Sequence, residues 1–151
     1  MRWTILLWLF IIPSLAYCPM LDPQYLKVRD TIALMPYSDF SEDNLRTYLK
    51  SHPLTPIIIA QARLESGNYT SRIFRESNNL FGMRHPRVRP TVSLGSKYHH
   101  AVYEHWTASV DDYLLWLDYT KWNKDKCIFS HLIAKRYAQD KHYIVKLKNL
   151  I

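Results

Sequence analysis

Apolar residues recur at helical spacing along most of the chain, and one short region breaks the pattern. After Asp22-Pro23, the series Tyr25, Leu26, Val28, Ile32, Ala33 and Leu34 predicts a helix ending before Pro36. Ser41 is placed to cap a second helix, which runs through Leu45, Tyr48 and Leu49 to the break at His52-Pro53. A third helix opens at Thr55, with Thr55 as cap and Pro56 at the first helical position, and stops at Gly67. A short helix over 72–77 leads into the loop Asn78-Asn79-Leu80-Phe81-Gly82. Residues 83–105 differ. Met83 to Pro90 is basic and broken by prolines, and Thr91–Leu94, Gly95-Ser96 and Tyr98–Trp106 read as a hairpin or small β lobe. The helical period returns from Thr107, with Val110, Tyr113, Leu114, Leu117 and Asp118 or Tyr119 on one face and Thr107 or Ser109 as cap. Two more helices are expected, from Ile128 through Leu132, Ile133 and Ala134 to Tyr137, and from an Asp140 cap through Tyr143, Ile144 and Leu147. The fold class is α+β, mainly helical with a small β lobe.

The helix ending at Gly67 has little surface fit for water, yet its last turn carries Glu65. Offsets of seven, four and three place Glu65 on one stripe with Ile58, Gln61 and Ala62. Apolar neighbours and the negative end of the helix dipole should both raise its pKa, as a general acid at neutral pH requires. The competing reading is a surface glutamate paired with Arg63 or Arg72. A helical body with a small β lobe facing a glutamate at a helix end resembles the cleft of lysozyme-like enzymes.

Residues 1–16 combine Arg2, an apolar run from Trp3 to Ile12, Pro13 and Ser14-Leu15-Ala16. They read as a cleaved export signal, with lipidation at Cys18 or a retained N-terminal anchor as alternatives. Removing them leaves residues 17–151, enough for a single domain with one core and a cleft. The chain has two cysteines, Cys18 and Cys127, which could pair in an oxidising compartment. The formal charge of +7 suits an anionic polymer such as cell wall, and no nucleic-acid motif is present. The eleven tyrosines serve carbohydrate stacking or core packing equally well. Three glycines and the lack of repeats argue against a linker or repeat array. Residues 1–16 aside, the protein is expected in the periplasm, in the cell envelope or secreted, as a monomer without a protein partner.

Gln61-Ala62-Arg63-Leu64-Glu65-Ser66-Gly67-Asn68-Tyr69-Thr70-Ser71, then Asn78-Asn79-Leu80-Phe81-Gly82-Met83, resembles the glucosaminidase domains of bacterial peptidoglycan hydrolases, family 73 of the glycoside hydrolases. The likeness continues in order through Val102-Tyr103, Ser109-Val110-Asp111-Asp112-Tyr113 and Tyr137-Ala138-Gln139-Asp140-Lys141-His142-Tyr143, over roughly residues 54–147. The last block departs from the family's YATDPxY, with Gln139 for threonine and Lys141 for proline. The resemblance implies hydrolysis of the β-1,4 bond from N-acetylglucosamine to N-acetylmuramic acid in glycan strands, without a cofactor. It implies that Glu65 protonates the leaving oxygen, that Tyr137 lies near the acid, and that Asn79, Phe81, Gly82 and Tyr103 serve the substrate cleft. On spacing alone Tyr137 reads equally as core, Asn79 as a turn residue, and Phe81 is expected in the core.

Many family members supply a second carboxylate from the β lobe. Between Gly82 and Tyr103 this chain has no Asp or Glu, and Glu104 is the nearest acid. Three routes stay open: Glu104 as a base on water, attack by the substrate's own 2-acetamido group, or Glu65 alone with ring closure as in lytic transglycosylases. Arg84, Arg87 and Arg89 could bind carboxylates of peptide stems or form a solvated basic face. His99, His100 and His105 are poorly spaced for a metal, since strand neighbours point to opposite faces. The rival readings are a transglycosylase or muramidase on the same scaffold, and a wall-binding module without turnover.

Overall fold

Three of the helices in the structure, a computed structural model that describes residues 40–151, begin at a residue whose side chain caps them. These residues lie within one compact unit, Met35–Ile151. The expected export signal, the helix before Pro36 and Cys18 lie outside the described residues. Helix α1 spans Glu42–Tyr48, and the Ser41 hydroxyl accepts from Asn44 N–H at 3.1 Å, as its cap position predicts. Helix α2 spans Thr55–Glu65 with a proline in its first turn, but its cap is Leu54, which makes no side-chain bond. Thr55 does not cap α2. Its hydroxyl donates backwards to the carbonyls of Leu49 and His52, stapling the α1–α2 turn instead. Helix α3, Arg72–Ser77, is capped by Ser71 and ends on Asn78 in the left-handed region at φ 55°.

The β lobe is a two-stranded antiparallel hairpin, β1 Gly95–Lys97 and β2 His100–Val102, with Ser96 opposite Ala101. Its turn is Tyr98-His99, not Gly95-Ser96. Both turn residues have positive φ, 52° and 63°, as a tight hairpin turn requires. Neither is a glycine or asparagine. Tyr98 is held there by the Arg72 guanidinium, 4.2 Å from its ring centroid, and by its hydroxyl donating to Glu76 at 3.0 Å.

Helix α4, Trp106–Tyr119, is capped by His105, whose Nδ1 accepts from Thr107 N–H, and not by Thr107 or Ser109. Its buried face holds Val110, Tyr113 and Leu117 as expected, while Asp118 and Tyr119 are exposed. In their place the buried face takes Asp111 and Asp112. Helix α5, Ile128–Ala134, stops three residues short of Tyr137, and its Ile133 faces solvent. Helix α6, Tyr143–Lys148, begins at His142. The Asp140 carboxylate accepts from His142 N–H at 2.8 Å, two residues before the cap position, and pairs with Lys146 at 2.6 Å.

The core forms where α2 packs against α1 and α6, with α3 against β2. Leu45, Ile58, Ala60, Ala62, Leu80, Val110 and Leu147 are fully buried. At roughly 1.5–3 kcal/mol per buried large aliphatic side chain, this set drives collapse around α2. The architecture is α+β, mainly helical, with one small antiparallel sheet. Cys127 is exposed and free.

Candidate active site

Helix α2 delivers Glu65 to a cleft because its end is sharply defined. Asn68 N–H bonds Arg63 C=O and Gly67 N–H bonds Leu64 C=O, closing a Schellman turn with Gly67 left-handed at φ 57°. The Ser66 hydroxyl donates to Ala62 C=O and accepts from Tyr69 N–H, which fixes the exit. Glu65 is therefore the last helical residue, and its side chain is half-buried. Neither neighbouring arginine takes it. Arg63 pairs with Glu42 and Arg72 with Glu76.

The cleft encloses about 760 Å³, a volume typical of ligand sites, and Glu65, Phe81, Gly82, Trp116, Tyr137 and Tyr143 are among its lining residues. Gly82 stands directly against the acid. A Cβ at that position would lie 3.6 Å from Glu65 Oε2, and its φ of 60° favours glycine. The loop holding Gly82 is closed by Asn79. Asn79 Nδ2 donates to the carbonyls of Met83 at 2.8 Å and Ala101 at 2.9 Å, while Oδ1 accepts from Met83 N–H at 3.1 Å. Phe81 is buried as expected and stacks on Tyr113 at 4.7 Å.

Three tyrosines lie around the carboxyl, and a buried amide orders two of them. The Tyr113 hydroxyl donates to Gln61 Oε1 at 2.6 Å, so Gln61 must present its NH2 to Tyr143, whose oxygen lies 3.1 Å from Nε2. With its oxygen accepting, Tyr143 has its own proton free for Glu65, to which it is hydrogen-bonded. Burial raises the Glu65 pKa above the ordinary carboxyl value, and the Tyr143 hydrogen bond opposes that rise without cancelling it. Burial also pushes Tyr137 well above its ordinary value, with Tyr143 and Glu65 adding to the shift. Tyr137 gives its hydroxyl proton to Phe81 C=O at 3.3 Å.

Of the residues expected at the site, Glu65, Phe81, Gly82 and Tyr137 line the cleft together. Asn79 acts behind it as the loop's clamp. Tyr103 is not on the cleft: its hydroxyl donates to Asp112 at 2.7 Å in the interior. Glu104 is exposed on the loop before α4 and is not among the lining residues. The carboxylates that do line the cleft are Glu65 and Asp140, the latter held below its ordinary pKa by Lys146 and the His142 amide. Arg89 belongs to no solvated face, since its side chain is 7% exposed and bonds Asp112 through two contacts of 2.9 and 2.7 Å. Arg84 lines the cleft and Arg87 does not. His100 Nδ1 lies 2.9 Å from Gly82 C=O, tying the hairpin to the same loop.

Sequence reasoning missed the positioning set Gln61, Tyr113 and Tyr143. A signal was available. Gln61 sits four residues before Glu65 on a stripe otherwise fit for core, and an amide buried there demands partners. Which tyrosines answer it depends on α4 and α6 folding back onto α2.

This geometry suits proton donation. A carboxyl whose pKa burial raises lines the cleft, with no side chain at Gly82 to stand against it. In the comparison with known families, residues 45–151 match the glucosaminidase model, described as mannosyl-glycoprotein endo-beta-N-acetylglucosaminidase. No curated protein and no solved structure matches the chain.

Proposed function

The chain belongs to the glucosaminidase family of glycoside hydrolases, and on that footing we propose that it cleaves peptidoglycan at the β-1,4 bond from N-acetylglucosamine to N-acetylmuramic acid. Glu65 is the general acid. The observation that carries this reading is the half-buried Glu65 carboxyl on the cleft, raised in pKa by burial and hydrogen-bonded by Tyr143. As the glycosidic bond lengthens, Glu65 gives its proton to the departing oxygen, and Tyr143 stabilises the carboxylate that forms. Gly82 leaves room for the sugar to approach the acid, and Asn79 keeps Gly82 in place.

The second step falls to the substrate's own 2-acetamido group, whose oxygen attacks the anomeric carbon before water replaces it. The placement of the acids supports this: Glu104 is off the cleft, and Asp140 is engaged by Lys146. The same observation favours one rival, ring closure by the muramic 6-hydroxyl with Glu65 alone. Because the polymer lies outside the cytoplasm, the protein is exported, in line with the signal pattern of residues 1–16.

The test is digestion of purified peptidoglycan by wild type and Glu65→Gln, with borohydride-reduced fragments identified by mass spectrometry. Reducible N-acetylglucosamine ends from wild type alone are expected. Anhydromuramic ends would replace hydrolysis with the lytic reaction, and muramic reducing ends would move the cut to the other bond. A wild type that binds walls and releases nothing would make the protein a binding module.

A further inference from the structure

The cleft carries more positive charge than its acids can match. Arg84, Arg89, Lys135, Arg136 and Lys146 line it, against Glu65 and Asp140. Arg89 is neutralised by Asp112 and Lys146 by Asp140. Glu65 is left as the single lining carboxylate against the other cations. Arg84, Lys135 and Arg136 remain, exposed and with no ion pair to any described residue.

These three come from separate segments brought to one cleft. Arg84 follows Gly82 on the loop clamped by Asn79. Lys135 and Arg136 end α5 just before Tyr137. Arg136 is left-handed at φ 49° within a Schellman turn, its N–H on Ile133 C=O and the next N–H on Leu132 C=O, which fixes where its side chain starts. Neutral sugar rings give such cations nothing to pair with, and placing three like charges around one groove costs self-repulsion unless an anion enters. Guanidinium groups match carboxylates in particular, through paired N–H donors. In an intact wall strand the lactyl carboxyl is tied up as an amide, so the carboxylates the strand offers are those of its peptide stems.

We infer that Arg84, Lys135 and Arg136 form a carboxylate-reading rim, through which the cleft selects glycan strands that still carry anionic peptide stems. The inference rests on the glycan reading given above and deepens it.

Binding is the direct test, and it uses the Glu65→Gln protein so that no probe is consumed. Three probes of matched length are titrated by calorimetry: stem-bearing strands, the same strands stripped by an amidase, and N-acetylglucosamine oligomers. Stem-bearing strands should bind at least tenfold more tightly than the neutral oligomers at low salt, and the difference should shrink as salt screens the charges. Adding Arg84→Gln, Lys135→Gln and Arg136→Gln together should collapse that ratio to near one. A control with Lys50→Gln, Lys121→Gln and Lys124→Gln, exposed residues off the cleft, removes the same charge and should keep it. Thermal melts establish that each variant is folded. Equal affinity for all three probes, or a preference that survives the rim substitutions, overturns the rim. Stripped strands binding as tightly as stem-bearing ones overturn the assignment to stems in favour of lactyl carboxylates. Binding to none of the probes overturns the glycan reading itself.

Discussion

Asp112 is fully buried and Arg89 nearly so, and between them they join the proline-broken loop to helix α4. Tyr103, at the end of the hairpin, donates to the same carboxylate at 2.7 Å. Burial by itself would raise the Asp112 pKa, but hydrogen bonds from Arg89, Thr91 and Tyr103 outweigh it and hold the pKa below its ordinary value. Asp112→Ala strands a guanidinium in the interior and leaves the Tyr103 hydroxyl without its acceptor. Removing one partner of a buried ion pair costs about 3–5 kcal/mol, and the lost tyrosine bond lies largely inside that range. Arg89→Met strands the carboxylate instead, at a cost nearer the lower end because Tyr103 and Thr91 still hydrogen-bond it. The double variant Arg89→Met/Asp112→Ala strands neither charge, leaving the Tyr103 hydroxyl without its acceptor, and should fall within about 3 kcal/mol of wild type. The coupling between the sites is then about 3 kcal/mol or more, opposite in sign to additive damage. Urea unfolding measures it from shifts in midpoint at constant slope, and Asp112→Ala should lower Tm by roughly 10–20 °C. Single losses that simply add, with coupling under about 0.5 kcal/mol, would show that the pair does not hold the lobe to α4.

Three further outcomes follow from the acid and its surroundings. Glu65→Gln should abolish turnover yet stabilise the fold. Because the folded pKa of Glu65 is raised, ionising it penalises the native state increasingly as pH rises from the unfolded value through the folded one. The gain should therefore be absent at acidic pH and grow towards neutrality; equal melting curves for the two proteins at pH 4 and pH 8 would contradict this. Tyr143→Phe removes a donor to the Glu65 carboxylate, so the alkaline limb of the kcat profile should move to higher pH while kcat falls, and an unmoved limb would refute the hydrogen bond's role. Gly82→Ala puts a methyl 3.6 Å from Glu65 Oε2 at a left-handed position. Chemical denaturation should register a loss of about 1 kcal/mol, with kcat/KM reduced at least tenfold by the obstructed acid, and full activity would remove Gly82 from the cleft argument.

The chain's own pattern determined the placement of the described helices and the presence of a hairpin, because both depend on local causes. Ser41 and Ser71 cap where their hydroxyls reach the next turn, and Gly67 ends α2 because a left-handed residue is needed there. The raised acid was legible for the same reason: Glu65 shares a stripe with Ile58, Gln61 and Ala62 whatever the rest of the chain does. Local rules failed where another group, near or distant in sequence, competes for the same role. Thr55 gives its hydroxyl to the preceding turn rather than capping α2. His105 takes the cap of α4 from Thr107 and Ser109. Tyr98 and His99 turn the hairpin without glycine because Arg72 and Glu76 hold Tyr98 from another helix. Asp111 and Asp112 resemble a solvated face until Tyr48, Tyr103 and Arg89 fold onto them, since a buried carboxylate is tolerable only once its partners arrive. The cleft is of the same kind. Glu65 could be found in the sequence, but the tyrosines around it lie 48 to 78 residues further on, and Lys135 and Arg136 lie 70 and 71, so they meet it only when α4, α5 and α6 pack around α2.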